Sequence, residues 1–275
     1  MHAWILLLRH MHTTIRERVG GLRGGELFRP LRFGGYQVRL AVDDIDLRAV
    51  QKLRFEVFHD ELGEGLPGAA ALGLDVDAFD SQCDHLLLES ADGEVCGTYR
   101  MQTLDRASAG KGFYCDEEFD LSGLPESVLA NSIELGRACV AKAHRRGVAL
   151  FALWSGLAAY LRAKRKDLLF GCCSLTGLDR DVAAAAAGWL VQNGHLDDRW
   201  QLAPRPAVTG DGRIAPSEAV AAFKPPPLFG TYLRYGAKVL GGPAFDWSFG
   251  TTDFLVLLDI RRLDAKQRAL FQLGD

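Results

Sequence analysis

The chain has 275 residues, 48% of them hydrophobic and 24% charged, with a formal net charge of −3. This is the make-up of an ordinary globular protein, and it excludes a wholly disordered, collagen-like or membrane-embedded chain. So small a net charge gives no reason for bulk binding to DNA or RNA, and no nucleic-acid partner is expected.

Counted by region, the charge is uneven. Residues 1–39 carry seven Arg, no Lys and two Glu, for +5. Residues 43–80 carry ten acids against Arg48, Lys52 and Arg54, for −7. Residues 141–166 carry seven bases and no acid, for +7. Each block alone reads as a solvated helix face; together they suit two pockets for opposite charges. The opening run Trp4–Leu8 is too short for a signal-peptide core or a membrane span. Residues 1–35 are read as a basic arm, suited to an anionic membrane surface, and residues 36–275 as one domain.

In chain order, Tyr36–Ala41 alternates as a strand. Asp43 or Asp44 caps a helix with apolar positions Leu47, Val50, Leu53, Val57 and Phe58. His85–Ser90 and Val95–Leu104 form a hairpin about Asp92-Gly93. A polar loop runs from Asp105 to about Pro125. Ile133–Val140 is a strand, Val148–Lys164 a buried helix, Leu168–Leu175 a strand and Arg180–Val191 an Ala-rich helix. Residues 204–227 hold six of the ten prolines and form an extended connection. Leu228–Leu240 reads as helix and Phe254–Ile260 as a last strand. This order predicts an α/β fold with a mixed sheet and appended C-terminal elements.

The six cysteines make no CxxC pair, and the histidines lack zinc spacing, so no metal is expected. Reduced, structural thiols fit a cytoplasmic protein. G-x-S-x-G is absent around Ser155.

Four groups carry chemistry. Arg54 and Phe58, four apart on a helix, place a cation and an aromatic ring at one pocket. Asp75, Asp77 and Asp80 require a cationic partner: a metal, an internal Arg or a substrate amine. In the strand from Ile133, Glu134 and Arg137 point to opposite faces unless a bulge at Gly136 brings them together. The turn His144-Arg145-Arg146-Gly147-Val148-Ala149 leads into the buried helix; helix-start N–H groups and Arg bind phosphate.

Arg54-x-x-x-Phe58, Asp75-x-Asp77-x-x-Asp80, Arg100 in GTYRMQ and Glu134-x-x-Arg137 stand in the order found in acyl-homoserine-lactone autoinducer synthases. The chain resembles that branch of the GNAT acyltransferase superfamily. It is more similar to the L-ornithine Nα-acyltransferases of ornithine-lipid synthesis, some of them labelled hemolysin-like. The runs LRFEVFHDELG, GLDVDAFDSQCDHLLL, IELGRACV and PPLFGTYLRYGAKVLGGPAFD carry the likeness, over about residues 36–264. Two positions depart from pattern: Asp75 stands where autoinducer synthases have Glu, and His144 where the GNAT phosphate loop has Arg or Gln.

The resemblance implies a GNAT-like fold with a mostly antiparallel sheet. It implies transfer of a (3-hydroxy) fatty acyl group from acyl carrier protein to the α-amine of L-ornithine, with no tightly bound cofactor. Glu134 is then the base or amine-orienting group, with Arg137 beside it. Arg54, Phe58, Asp75, Asp77, Asp80 and Arg100 serve the acceptor. Lys142, His144, Arg145, Arg146 and Gly147 serve the carrier's phosphopantetheine arm. Peripheral contact with the inner membrane fits a lipid product. Other acceptors such as glycine or tyrosine, an autoinducer synthase, and a non-enzymatic hemolysin-like protein are the competing readings.

Overall fold

The computed structural model describes residues 28–145 and 147–270. Its nine strands are β1 (Leu31–Phe33), β2 (Tyr36–Leu40), β3 (Asp84–Glu89), β4 (Val95–Thr103), β5 (Ser132–Val140), β6 (Leu168–Thr176), β7 (Lys238–Val239), β8 (Ala244–Asp246) and β9 (Thr251–Asp259). They form one sheet in the order β1-β2-β3-β4-β5-β6-β9-β7, with β8 also paired to β9. Every pairing is antiparallel except β5 with β6. That parallel pair requires a crossover, and the helix Val148–Lys164 supplies it.

Four longer helices frame the sheet: α1 (Asp44–Phe55), α2 (Val148–Lys164), α3 (Arg180–Gln192) and α4 (Pro227–Arg234). Helix α1 starts at Asp43, whose side chain accepts the Asp46 N–H at 2.9 Å. It does not end cleanly, for Glu56–Glu61 continue it as a wider π-helical stretch. Helix α2 is apolar on nearly every face because it is covered on nearly every face. Ala152, Leu153 and Leu157 pack with Val38, Leu86 and Leu88. Gly156 allows this approach, since a Cβ there would lie 2.5 Å from Val38 Cγ1. Each fully buried Leu contributes roughly 1.5–3 kcal/mol. A second core, on Phe113, Phe119, Phe170 and Leu255, holds the segment after β4.

Most predicted elements form within a residue or two of their expected bounds. Four differ. Residues 31–33, assigned to the arm, pair with β2, Leu31 opposite Val38. The loop from Asp105 contains helical turns at Leu104–Ala109, Tyr114–Glu117 and Leu121–Gly123. The Pro-rich connection holds a short helix, Ser217–Ala222. The helix expected through Leu240 stops at Arg234, and Gly236, at φ +84°, turns the chain into β7. Among the described residues, no helix is long and apolar enough to cross a membrane.

The feature that positions the site is a fork. Strands β5 and β6 pair only through Ser132–Glu134 and Leu168–Phe170, then part. At the crotch the backbones nearly touch: a Cβ on Gly171 would lie 2.3 Å from the Leu135 carbonyl oxygen. Only glycine fits there.

Candidate active site

A cavity of about 1140 Å³ opens from the fork. Drug-sized pockets run to roughly 300–1,000 Å³, so there is room for more than one small ligand. Its walls are mainly apolar: Leu135, Leu150, Phe151, Trp154 and Leu258, with Phe229 of α4. The stacked Trp154 and Tyr232 rings lie 5.2 Å apart, and the Tyr232 and Tyr99 hydroxyls satisfy each other at 3.0 Å. At the polar end stand Tyr114, Arg137, Cys172, Asp246 and Asp253; Arg145 and Gly147 lie elsewhere on the wall.

Strand β5 carries the expected bulge. Its register against β4 slips between Thr98 opposite Cys139 and Arg100 opposite Gly136, leaving Arg137 and Ala138 against Tyr99 alone. Arg137 takes a left-handed conformation, φ +47°, a strained one for a residue with a side chain. Glu134 and Arg137 nevertheless do not meet. Arg137 lines the cavity, its guanidinium 4.9 Å from the Tyr114 ring and 4.5 Å from that of Phe249. Glu134 is buried outside the cavity lining. Its carboxylate accepts the Tyr114 N–H at 3.1 Å and the Cys115 N–H at 2.7 Å, and also the Gln102 amide. It thus clamps the turn that presents Tyr114.

The three aspartates find their cations within the chain. Arg54 is fully buried. It donates from Nε to Asp75 at 2.6 Å, from Nη1 to Asp80 at 2.8 Å and from Nη2 to the Asp75 carbonyl at 2.6 Å. Arg100 donates to Asp77, and to Asp80 at 3.1 Å. Arg137 donates to Asp77 at 3.1 Å. Three guanidinium groups therefore balance three carboxylates. Burial opposes the ionisation of Asp80, but Arg54 and Arg100 outweigh it and hold the carboxyl well below the usual range; Arg100 and Arg137 do the same for Asp77. Arg100 Nη2, Arg137 Nε and Asp75 Oδ2 remain buried without hydrogen-bond partners among the described residues.

Arg54 and Phe58 do not share a pocket. Arg54 is sealed into the aspartate network, whereas Phe58 lines the cavity, 5.3 Å from the Phe249 ring. The wide turns from Glu56 shift the helical phase between them, and four-residue spacing no longer means one face.

The basic turn divides as well. Lys142 is exposed and His144 Nδ1 lies 2.9 Å from the Tyr36 hydroxyl. Arg145 lines the cavity and pairs with Glu61, whose carboxyl it lowers through a side-chain hydrogen bond. Gly147, at φ +68°, opens α2 with no side-chain cap, so its first N–H groups lack that partner. Arg146 lies outside the described residues.

Sequence reasoning missed Tyr114, Asp246 and Asp253. The Tyr114 hydroxyl donates to Asp246 Oδ2 at 2.9 Å, while Asp246 Oδ1 accepts the N–H groups of Ser248 and Phe249 at 2.8 and 2.9 Å. The run PAFD holds Asp246 and FGTTDF holds Asp253, but a lone acid in an apolar strand carries no signal of what faces it.

The acetyltransferase (GNAT) domain family matches residues 53–155. An L-ornithine Nα-acyltransferase of Brucella abortus is 35% identical, over 86% of this chain and 88% of the relative. One from Rhodobacter capsulatus is 36% identical, over 86% and 94%. Among solved structures, FeeM, an N-acyl amino acid synthase from uncultured soil microbes, is 10% identical over 90% of this chain and 100% of that one, with a TM-score of 0.47. On the identity and coverage of its curated relatives, the chain belongs to the L-ornithine Nα-acyltransferase family, within the GNAT acyltransferases.

Proposed function

We propose that this protein transfers a (3-hydroxy) fatty acyl group from the phosphopantetheine thioester of acyl carrier protein to the α-amine of L-ornithine. Family membership supports the reaction. The observation that carries the structural side is the fork: a large apolar cavity meets polar groups where β5 and β6 part.

In this reading the acyl chain lies between α2, α4 and the fork. The pantetheine arm follows the β5 edge that β6 leaves unpaired, and its phosphate sits at the start of α2 near Gly147, with Arg145 and Arg146. Lys142 and the rest of the basic stretch face the acidic carrier, and His144 braces the turn through Tyr36. The sheet from β1 onward acts as one domain, and the basic stretch before it makes peripheral contact with an anionic membrane.

Attack requires a neutral amine. Tyr114 and Asp246 offer a relay: the amine proton passes to Tyr114 Oη as the tyrosine's own proton moves to Asp246. The amine nitrogen bonds to the thioester carbon and gives its next proton to the departing sulfur as the C–S bond breaks, which releases the carrier as its thiol; Asp246 then returns the first proton through Tyr114 to solvent. Arg137, whose guanidinium lies on the cavity wall against the Tyr114 and Phe249 rings, stabilises the carbonyl oxygen or holds the acceptor carboxylate. Arg54, Asp75, Asp77, Asp80 and Arg100 hold Arg137 and Tyr114 in place, and Glu134 fixes the Tyr114 turn. Phe58 packs the cavity wall.

The test is incubation with labelled ornithine and 3-hydroxyacyl carrier protein, followed by lipid extraction. Labelled N-acyl ornithine is expected. Product only with glycine or tyrosine would replace the acceptor, and product from acyl-coenzyme A alone would replace the donor.

A further inference from the structure

A side-chain ammonium brought into a mainly apolar cavity needs an anion beside it. Among the described residues, three acids line the cavity: Glu64, Asp246 and Asp253. Two of them are engaged. Asp246 is held by the Tyr114 hydroxyl and by the N–H groups of Ser248 and Phe249. Asp253 is 3% exposed and hydrogen-bonds with Glu118 and Thr251.

Glu64 differs from both. It stands half-buried on the cavity wall, in the loop that follows the π-helical stretch. The loop is fixed around it: the Glu64 N–H donates to the Phe58 carbonyl at 2.8 Å and the Gly65 N–H to the Phe249 carbonyl at 3.1 Å. Gly63 and Gly65 flank it at φ +69° and +114°, so the chain turns sharply about this one side chain. Glu64 Oε1 accepts the Thr176 hydroxyl at 2.7 Å, which ties the loop to the end of β6. Its Oε2 has no donor and its carboxylate no cation among the described residues; Arg145 pairs instead with Glu61, at 2.6 Å. Burial raises the Glu64 carboxyl above its usual value, and the Thr176 hydroxyl offsets only part of this. Phe249 joins this loop to Arg137: its carbonyl takes the Gly65 N–H and its ring lies 4.5 Å from the Arg137 guanidinium. The cavity wall thus offers an anion and a cation, as a zwitterionic ligand requires.

We propose that Glu64 receives the side-chain ammonium of the acceptor amino acid on its Oε2, while Thr176 holds its Oε1. This rests on the ornithine reading above and assigns its specificity. An alkylammonium brings one positive charge and three N–H donors, and the half-buried carboxylate supplies the charge and an acceptor atom on the cavity side. Arg137 and Glu64 then grip the carboxylate and side-chain ends of one amino acid. The α-amine, next to the carboxylate, stays beside Tyr114, whose ring is 4.9 Å from the Arg137 guanidinium.

The test compares ornithine with norvaline, which lacks only the terminal amine, using the full chain and 3-hydroxyacyl carrier protein. Wild type is expected to favour ornithine in kcat/KM. Glu64→Gln, which keeps the bond to Thr176 and removes the charge, should shrink that preference by about tenfold or more, the order of a lost charge-assisted hydrogen bond. The change should come mainly through the KM for ornithine. Glu61→Gln removes a like charge from the same segment and should leave the preference unchanged. Thermal unfolding verifies that both variants fold. An unchanged preference in Glu64→Gln, or a parallel fall with both amino acids, overturns the subsite and leaves the ornithine reading intact. An equal loss of preference in Glu61→Gln assigns the effect to the net charge of the loop and also overturns the subsite. A wild type that does not acylate ornithine overturns the ornithine reading and the subsite with it.

Discussion

Arg54 Nη1 donates to Asp80 Oδ1 at 2.8 Å with both side chains closed off from solvent. A buried pair of this kind is weak evidence of net stability against an apolar replacement, but removing one partner strands the other's charge. Arg54 also holds Asp75, so its loss leaves three buried carboxylates with two guanidinium groups.

Arg54→Met should therefore destabilise the protein by about 3–5 kcal/mol. Denaturant unfolding measures it. A loss below about 1 kcal/mol would show that the network does not need Arg54, and that water or Arg100 replaces it.

Glu134→Gln separates a clamp from a base. The amide oxygen replaces one acceptor, but its NH₂ then meets a backbone N–H of Tyr114 or Cys115. Unfolding should show a loss of about 1–3 kcal/mol, the cost of a stranded buried donor, together with reduced turnover. Turnover lost at full stability would restore Glu134 to the role of base.

Stability should depend on pH in two opposite ways. The depressed carboxyls of Asp77 and Asp80 contribute stability that is present above the ordinary aspartate value of 3.8 and lost as the pH falls towards their lower folded values. The raised carboxyls of Asp253 and Glu118 act the other way. Their contribution is present below the ordinary values and is lost as the pH rises towards the raised ones. Asp253→Asn should therefore be more stable than wild type at pH 7, by about 1–2 kcal/mol. The gain should vanish near pH 4, in urea titrations across that range. A gain independent of pH would assign the effect to packing instead.

Local rules in the sequence went far. The Asp43 cap, the Asp92-Gly93 hairpin and the bounds of Val148–Lys164 each follow from neighbours a few residues apart, and the structure keeps them. The motif order located Arg137 and the need for a cation beside Asp75, Asp77 and Asp80. Local spacing also misled: the wide turns after Phe55 separated Arg54 from Phe58, and the helix expected through Leu240 stops at Arg234.

The rest was decided by contacts that spacing does not encode. Tyr114 and Asp246, which share a hydrogen bond, are 132 residues apart in sequence. Only the antiparallel placement of β9 beside β6 brings Asp253 to Cys172 and Glu118. The sequence determined that acids and arginines would be plentiful near one site. Tertiary structure decided which acids are neutralised by arginine and which are not, because neutralisation depends on distances of about 3 Å between groups from distant parts of the chain.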